Sequence, residues 1–338
     1  MRNRASSALA FGLSEEGIVG FNFLQKSAFL GNGQLLELLA INTNSHNCEQ
    51  LDMVDTERFL ELGALVAEAS SQDRLEQEFS EKWAWGLPAA LFHFSVQGND
   101  FESLEQGEEK QRESAEKYGF PDLYMTNKGL QSIVALESVR DKTAQLALMA
   151  RRRSLREPSG AAVSLQALSG ILFSGMGITQ TIHNAVAELP LSMTPSGGGR
   201  NPYEAYVVAR KVEGLEPGIY HYSAFEHTLG RLHSELPAQL SQTVGDQEWA
   251  NDMSCIIVLA AFFERTMWKY DDPNAYRVVL IEAGHIGQNM LLMATEQGLG
   301  ACPTAALSHE LLFDALELPS RITCAPIYAI AVGALPVA

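Results

Sequence analysis

Cysteine is scarce in this 338-residue chain, and the four present (Cys48, Cys255, Cys302, Cys324) lie far apart with no CxxC pair. That spacing supports neither a zinc knuckle nor a disulfide framework, and it fits reduced thiols in a cytosol. Positive charge is also short: 24 Lys and Arg stand against 41 Asp and Glu, a net charge of −17. Nucleic acid and anionic membranes reward clustered Lys and Arg, so neither is expected as the main partner. Long apolar runs are missing too; residues 256–263 (IIVLAAFF) fall well short of the roughly 18 needed to span a bilayer. Met1, Arg2, Asn3 and Arg4 lead into no long apolar core with a cleavage site, so no signal peptide is expected. A GxSxG elbow, a Walker loop and a Rossmann fingerprint are absent, which removes three common enzyme readings. A soluble, cytoplasmic protein is the expectation.

What is present is apolar material, 46% of the chain, enough for a substantial core and, by length, for two domains. Apolar residues recur at helical spacing over 35–39 and 59–69, with Asp55 placed to cap the second helix and Glu57 to suit its positive end. Residues 1–125 therefore read as a small, mostly helical accessory domain. Its aromatic segment 83–96 can start as a helix or close as a strand, and its expected job is packing. Residues 99–118 are dominated by Glu, Lys and Gln and read as a solvated helix or linker. A linker is expected over 126–145. From 146 to 338 helices are expected at 165–173, 275–298 and 309–316, and strands at 205–211, 218–222, 256–263 and 327–332. Interleaved helices and strands make the class α+β or α/β.

Several segments carry residue types suited to chemistry. Arg151, Arg152, Arg153, Ser154, Leu155 and Arg156 place four guanidinium groups and a hydroxyl together in an acidic chain. Guanidinium groups grip phosphate bidentately, so a phosphorylated cofactor suits the run; a solvated charge run at a helix end suits it equally. Pro195, Ser196, Gly197, Gly198, Gly199 and Arg200 then lead into a strand. Three glycines let backbone N–H groups approach a flat or anionic ligand, although an isolated GGG reads more readily as a surface turn. Lys269 and Tyr270 follow an apolar strand and precede a long helix, where a neighbouring amine and phenol can act as base or proton relay. Such neighbours also arise by chance.

On the long helix, Glu282 and His285 have the i, i+3 spacing of a carboxylate-bridged metal site, but a second pair is missing and no metal is expected. Ala301 to Ala306 read as an extended exit whose backbone N–H groups can face a ligand. His93, His183, His221 and His309 are expected to be structural or surface residues.

Taken in this order, the segments resemble the nitroreductase family, and within it the SagB-type branch of azoline dehydrogenases from thiazole/oxazole-modified peptide biosynthesis. Arg152, Arg153 and Ser154 are similar to the family's opening Arg-x-Ser motif. PSGGGR followed by VEGLEPGIYHY (212–222) resembles a signature of the branch, EAGHIGQNMLLMATEQGL (282–299) its central helix, and WAWGLPAALFHFSV (83–96) the end of its accessory domain. The resemblance covers about residues 145–335.

It implies an α+β sandwich of a mixed sheet with helices, and a homodimer with FMN at the subunit interface. It implies that Arg152, Arg153 and Ser154 bind the phosphate and ribityl end, that Pro195, Ser196 and Gly197 pass beside the flavin ring, and that backbone near Ala305 and Ala306 approaches N5. Arg156, Gly198, Arg200 and Gln288 complete the expected cofactor contacts. Lys269 and Tyr270 become the catalytic pair, removing a proton while hydride passes to N5. The implied activity is oxidation of a thiazoline or oxazoline in a peptide, or of another peptide or amino-acid bond, with a cyclodehydratase as partner enzyme. NAD(P)H-dependent nitroreduction ranks below these, since the Lys–Tyr pair has no duty there. A non-catalytic, peptide-binding scaffold subunit is the alternative of another class. One departure stands out: residues 333–338 (GALPVA) hold no Lys or Arg where the family has a second phosphate clamp, leaving Arg321 or Arg200 to substitute.

Overall fold

The computed structural model describes residues 3–41, 53–98, 103–119, 143–183 and 188–336. Cys48 and most of the expected linker at 126–145 lie outside the described residues. The chain opens on strands: β1 (Asn3–Ala5), then a meander of β2 (Leu9–Ser14), β3 (Gly17–Asn22) and β4 (Ser27–Gly31). Helix α1 (Gly33–Ile41) carries the 35–39 pattern. Residues 59–69 are not one helix: α2 (Met53–Glu61) ends first, Gly63 turns the chain at φ 69°, and β5 (Leu65–Ala67) pairs antiparallel with β1. Asp55 consequently lies inside α2, not ahead of it.

Helix α3 (Ser71–Lys82) starts where the Ser70 hydroxyl accepts the Asp73 N–H, and Arg4 ties it to β1 through Asp73 (2.8 Å) and Glu76 (2.7 Å). The aromatic segment becomes helix α4 (Gly86–Ser95). The polar stretch forms α5 (Leu104–Tyr118), a solvated helix with a Ser103–Gln106 capping box. Helix predominates over strand in this region, as expected, but the meander was invisible to periodicity because β2 is half to fully exposed and has no clean alternation.

The second part comprises α6 (Ala144–Arg151), β6 (Val163–Ser164), α7 (Leu165–Met176), a hairpin of β7 (Ile178–His183) and β8 (Glu188–Ser192), β9 (Tyr203–Ala209), β10 (Val212–Glu213), β11 (Gly218–Ser223), β12 (Thr228–His233), β13 (Cys255–Phe262), α8 (Glu264–Met267), α9 (Asn274–Glu296), β14 (Leu299–Thr304), α10 (His309–Ala315) and β15 (Cys324–Ala334). The central sheet runs β12-β11-β9-β13-β15-β14 with antiparallel neighbours throughout. Parallel pairing enters through β6 with β10 and through a bridge from Ser154 to Ala301. The expected helices appear as α7, α9 and α10, and the expected strands as β9, β11, β13 and β15.

β13 reads as an unbroken apolar run because both of its faces are covered. Ile257 and Leu259 pack toward α7 and α9, while Ile256 and Val258 pack toward α10. Helices α7 and α9 lie close because Gly175 leaves room for Met290; a Cβ there would sit 2.8 Å from Met290 Cγ. Phe23, Trp83, Trp85 and Phe94 share a hydrophobic cluster with Phe263 and Tyr276, so the N-terminal region packs directly on the segment from α8 into α9. Among the described residues no helix is long and apolar enough to cross a membrane.

Candidate functional site

As β13 ends, the chain turns through α8, pinned by the Phe263 N–H to the Thr323 carbonyl (2.8 Å). The Lys269 and Tyr270 N–H groups both donate to the Thr266 carbonyl at 3.0 Å, which fixes the pair on a tight turn ahead of α9. Lys269 Nζ stands 5.2 Å from the centre of the Tyr270 ring. The tips of both side chains reach Gly198, where an added Cβ would meet Tyr270 Oη at 2.5 Å and Lys269 Nζ at 2.8 Å. Gly198 also has φ 64°, a backbone conformation that favours glycine, and any side chain there would displace the two tips. The PSGGGR loop and the Lys–Tyr pair, far apart in sequence, are thus one site.

The loop is fixed from behind. Gly197 N–H donates to Glu282 Oε2 (3.2 Å), and Asn201 N–H donates to Ser196 Oγ (2.8 Å). Pro195 is exposed beside them. Arg200 lies over the Trp268 ring at 4.9 Å, and its Nε is buried with no hydrogen-bond partner among the described residues.

The basic run lies elsewhere. Arg151 pairs with Glu296 at the C-terminal end of α9 (3.3 Å), and the Leu155 N–H donates to the Ala301 carbonyl on β14 (3.1 Å). Arg152 is half-buried, Arg153 and Arg156 are exposed, and among the described residues none of the three forms an ion pair. Ala305 and Ala306 lie just past the end of β14, four and five residues beyond Ala301. Gly197 instead faces Val278, near the other end of α9. At 1.5 Å per residue, about 27 Å of helix separates Val278 from Glu296. Within one chain, then, the expected site residues form two groups, and Gln288 is exposed on the helix between them.

The sequence pattern of the nitroreductase family matches residues 149–334, more than half of the chain. The chain belongs to the nitroreductase family. MJ1384 of Methanocaldococcus jannaschii, which carries the nitroreductase name, is 33% identical over 172 residues, covering 51% of this chain and 83% of that protein. The trifolitoxin-processing protein TfxB of Rhizobium leguminosarum bv. trifolii is 30% identical over 169 residues, covering 48% of this chain but only 45% of its own. A chain of the Escherichia coli microcin synthetase McbBCD complex with truncated pro-MccB17 bound shares the fold, at TM-score 0.53 and 18% identity over 86% of this chain and 100% of that one.

Nitroreductases generally bind FMN, and the residues present suit such a group. Arg152, Arg153 and Arg156, with no carboxylate partner among the described residues, offer phosphate donors, a glycine loop offers bare backbone, and the buried Arg200 Nε lacks an acceptor among them. Arg321 is committed to Glu310 and to Asp314 (3.0 Å), whereas Arg200 Nε has no partner among the described residues.

Glu282 was legible only as half of a metal pair, yet it is the loop's anchor. Among the described residues no cluster of His, Cys, Asp or Glu is placed to hold a metal. The overlooked signal was an acid on the apolar face of α9, in register with Val279, Ala283 and Ile286, all buried. Burial pushes its carboxyl up to about 7, against the bonds from Ser196 and Gly197 that pull it down. It lines a cavity of about 200 Å³ with Met176, Asn201, Tyr203, Phe225 and Ile286. On the same cavity wall Glu204 takes bonds from His221 (2.9 Å) and Arg265, so His221 has a partner after all.

The raised Glu282 carboxyl sets a pH dependence. In the unfolded chain it titrates near 4.3, so between there and about 7 the folded state holds the extra proton. The stability it contributes is complete below that window and is lost as pH rises through it, by roughly 4 kcal/mol at most. Glu282→Gln keeps an acceptor for Gly197 and removes the titration. Urea unfolding of both proteins from pH 4 to 8 should show their stability difference changing across this window in the variant's favour; a constant difference would mean the carboxyl titrates as in water.

Proposed function

We propose that the protein is an FMN-dependent dehydrogenase acting on a peptide-derived substrate, converting a thiazoline or oxazoline ring to the aromatic azole. The observation that carries this reading is the meeting of Lys269 Nζ and Tyr270 Oη at Gly198, on the loop expected beside the flavin ring. An amine and a phenol aimed at one point can take a proton from a substrate carbon there. Bound FMN would supply the two-electron acceptor for the hydride that leaves the adjacent ring atom. The substrate loses one proton and one hydride, and the gain of aromaticity drives the step. Arg152, Arg153, Ser154 and Arg156 would hold the phosphate end, Pro195 to Gly198 would flank the ring, and Arg200 would add a further donor from the loop. The processing role in the name of TfxB supports a peptide substrate. The enzyme that forms the azoline, a cyclodehydratase, is the expected partner.

A second copy of the chain would complete the site. Helix α9 exposes Ile281, Gly284, His285 and Gln288 along one face, and the space beyond Gly284 is open to a close neighbour. Packing two such helices about a twofold axis can bring the basic run of one chain to the glycine loop of the other.

The test is direct. Protein loaded with FMN is given a peptide containing one thiazoline, and mass spectrometry reads the loss of two hydrogens. A protein that takes up no FMN, or that leaves the ring unchanged, would sink the reading.

A further inference from the structure

Trp85 is fully buried, although it belongs to the N-terminal region, and three of its contacts fall on the segment that carries Lys269 and Tyr270. Its indole N–H donates to the Tyr270 carbonyl at 2.9 Å. Its ring stands edge-on to Phe263 (5.6 Å), which opens the segment, and to Tyr276 (5.7 Å), in the first turn of α9, which closes it. The residue before it, Ala84, directs its N–H at Met267 Sδ (3.5 Å). One side chain therefore grips both ends and the middle of the turn.

The turn needs such a grip. Thr266 holds it from inside through the Lys269 and Tyr270 N–H groups, but the side chains of Trp268, Lys269 and Tyr270 all face solvent. Their tips meet neighbouring groups nonetheless: Arg200 lies over the Trp268 ring at 4.9 Å, and Lys269 Nζ and Tyr270 Oη come together at Gly198. Backbone placement sets the point from which both side chains reach Gly198, and the Tyr270 carbonyl is the last backbone group of the pair. A donor fixed there by two aromatic contacts orients the peptide plane after Tyr270 and, with it, the side chain before that plane.

We propose that Trp85 is a positioning residue for Lys269 and Tyr270, and that through it the accessory region sets the geometry of the pair. This rests on the reading of the pair as proton acceptor. Trp85 touches no reacting atom itself; it acts through the Tyr270 backbone.

Trp85→Phe, made in the FMN-loaded protein, keeps an aromatic ring against Phe263 and Tyr276 and deletes the N–H. Trp83→Phe serves as control, since Trp83 belongs to the same cluster and its indole N–H goes to Gly86, not to the turn. Two readouts are taken. Amide hydrogen exchange over 264–276 should quicken about fivefold or more in Trp85→Phe, the scale of one lost hydrogen bond, and stay within twofold in Trp83→Phe. Turnover should fall by about tenfold at unchanged FMN content, and should fall less than twofold further when the change is made on top of Tyr270→Phe. Unchanged exchange in the segment overturns the proposal whatever the catalytic result. So does a full tenfold loss repeated in the Tyr270→Phe background, which marks a general structural defect, or an undiminished turnover. Wild-type turnover in Lys269→Ala and Tyr270→Phe would show separately that the proton-acceptor reading has failed, and the role of Trp85 would fall with it.

Discussion

Lys269→Ala and Tyr270→Phe should each retain FMN while losing turnover by about 100-fold or more, the usual scale for removing a general base. Retention is expected because neither side chain supports the fold: both are exposed, and the turn beneath them is held through backbone groups and Thr266. Tyr270→Phe is the sharper test, since it leaves the ring beside Lys269 Nζ and removes only the hydroxyl. Two groups that pass the same proton should not multiply their losses, so the double variant should be little worse than the poorer single one. Flavin absorbance after gel filtration gives occupancy, and the mass change of a thiazoline peptide gives turnover. Either variant working at the wild-type rate would remove that residue from the chemistry. Loss of flavin alongside activity would instead make the pair part of the cofactor's seat.

The same residues show what the sequence could and could not say. Helix α9 and strand β13 were legible because each repeats a strong pattern over many residues, one with an apolar helical face and one apolar on both sides of a sheet. Lys269 and Tyr270 were legible as a pair, but their meeting with Gly198 was not: it is a tertiary contact, created where α8 turns beneath the loop ahead of β9. The distance between two of the segments was not legible from linear order. The basic run and PSGGGR follow one another in sequence, whereas within one chain α9 places them at opposite ends, an arrangement that suits the expected site between two copies. Glu282 and Trp85 were hidden for a different reason. Each has the residue type of ordinary packing or charge, and only burial together with a hydrogen-bond partner shows what it holds. The β2–β3–β4 meander escaped because half-exposed strands with several glycines carry little alternation.

The separation of the two groups leads to a prediction for mixed dimers. Arg152→Ala should leave helix α6 intact, because Arg152 is its C-cap and the backbone bond from its N–H to the Leu148 carbonyl (3.2 Å) survives the change. What is lost is a guanidinium with no carboxylate partner among the described residues, and with it charge-assisted bonds to phosphate worth about 1.5–3 kcal/mol, or roughly 10- to 100-fold in FMN affinity. Little flavin should then survive gel filtration, and a normal flavin content would place the phosphate elsewhere. Lys269→Ala is defective in the other group. If each site takes its basic run from one chain and its Lys–Tyr pair from the other, a dimer of one Arg152→Ala chain and one Lys269→Ala chain has one doubly defective site and one intact site. Unfolding and refolding the two variants together should therefore restore about a quarter of wild-type turnover, since half of the dimers are mixed and each has one good site of two. If each site lies within a single chain, every site in the mixed dimer carries one defect, and mixing yields no more than the parents gave. Restored turnover would assign the 27 Å between the two groups to a site shared by two copies; its absence, in a dimer shown to be mixed, would require the chain to close that distance by itself.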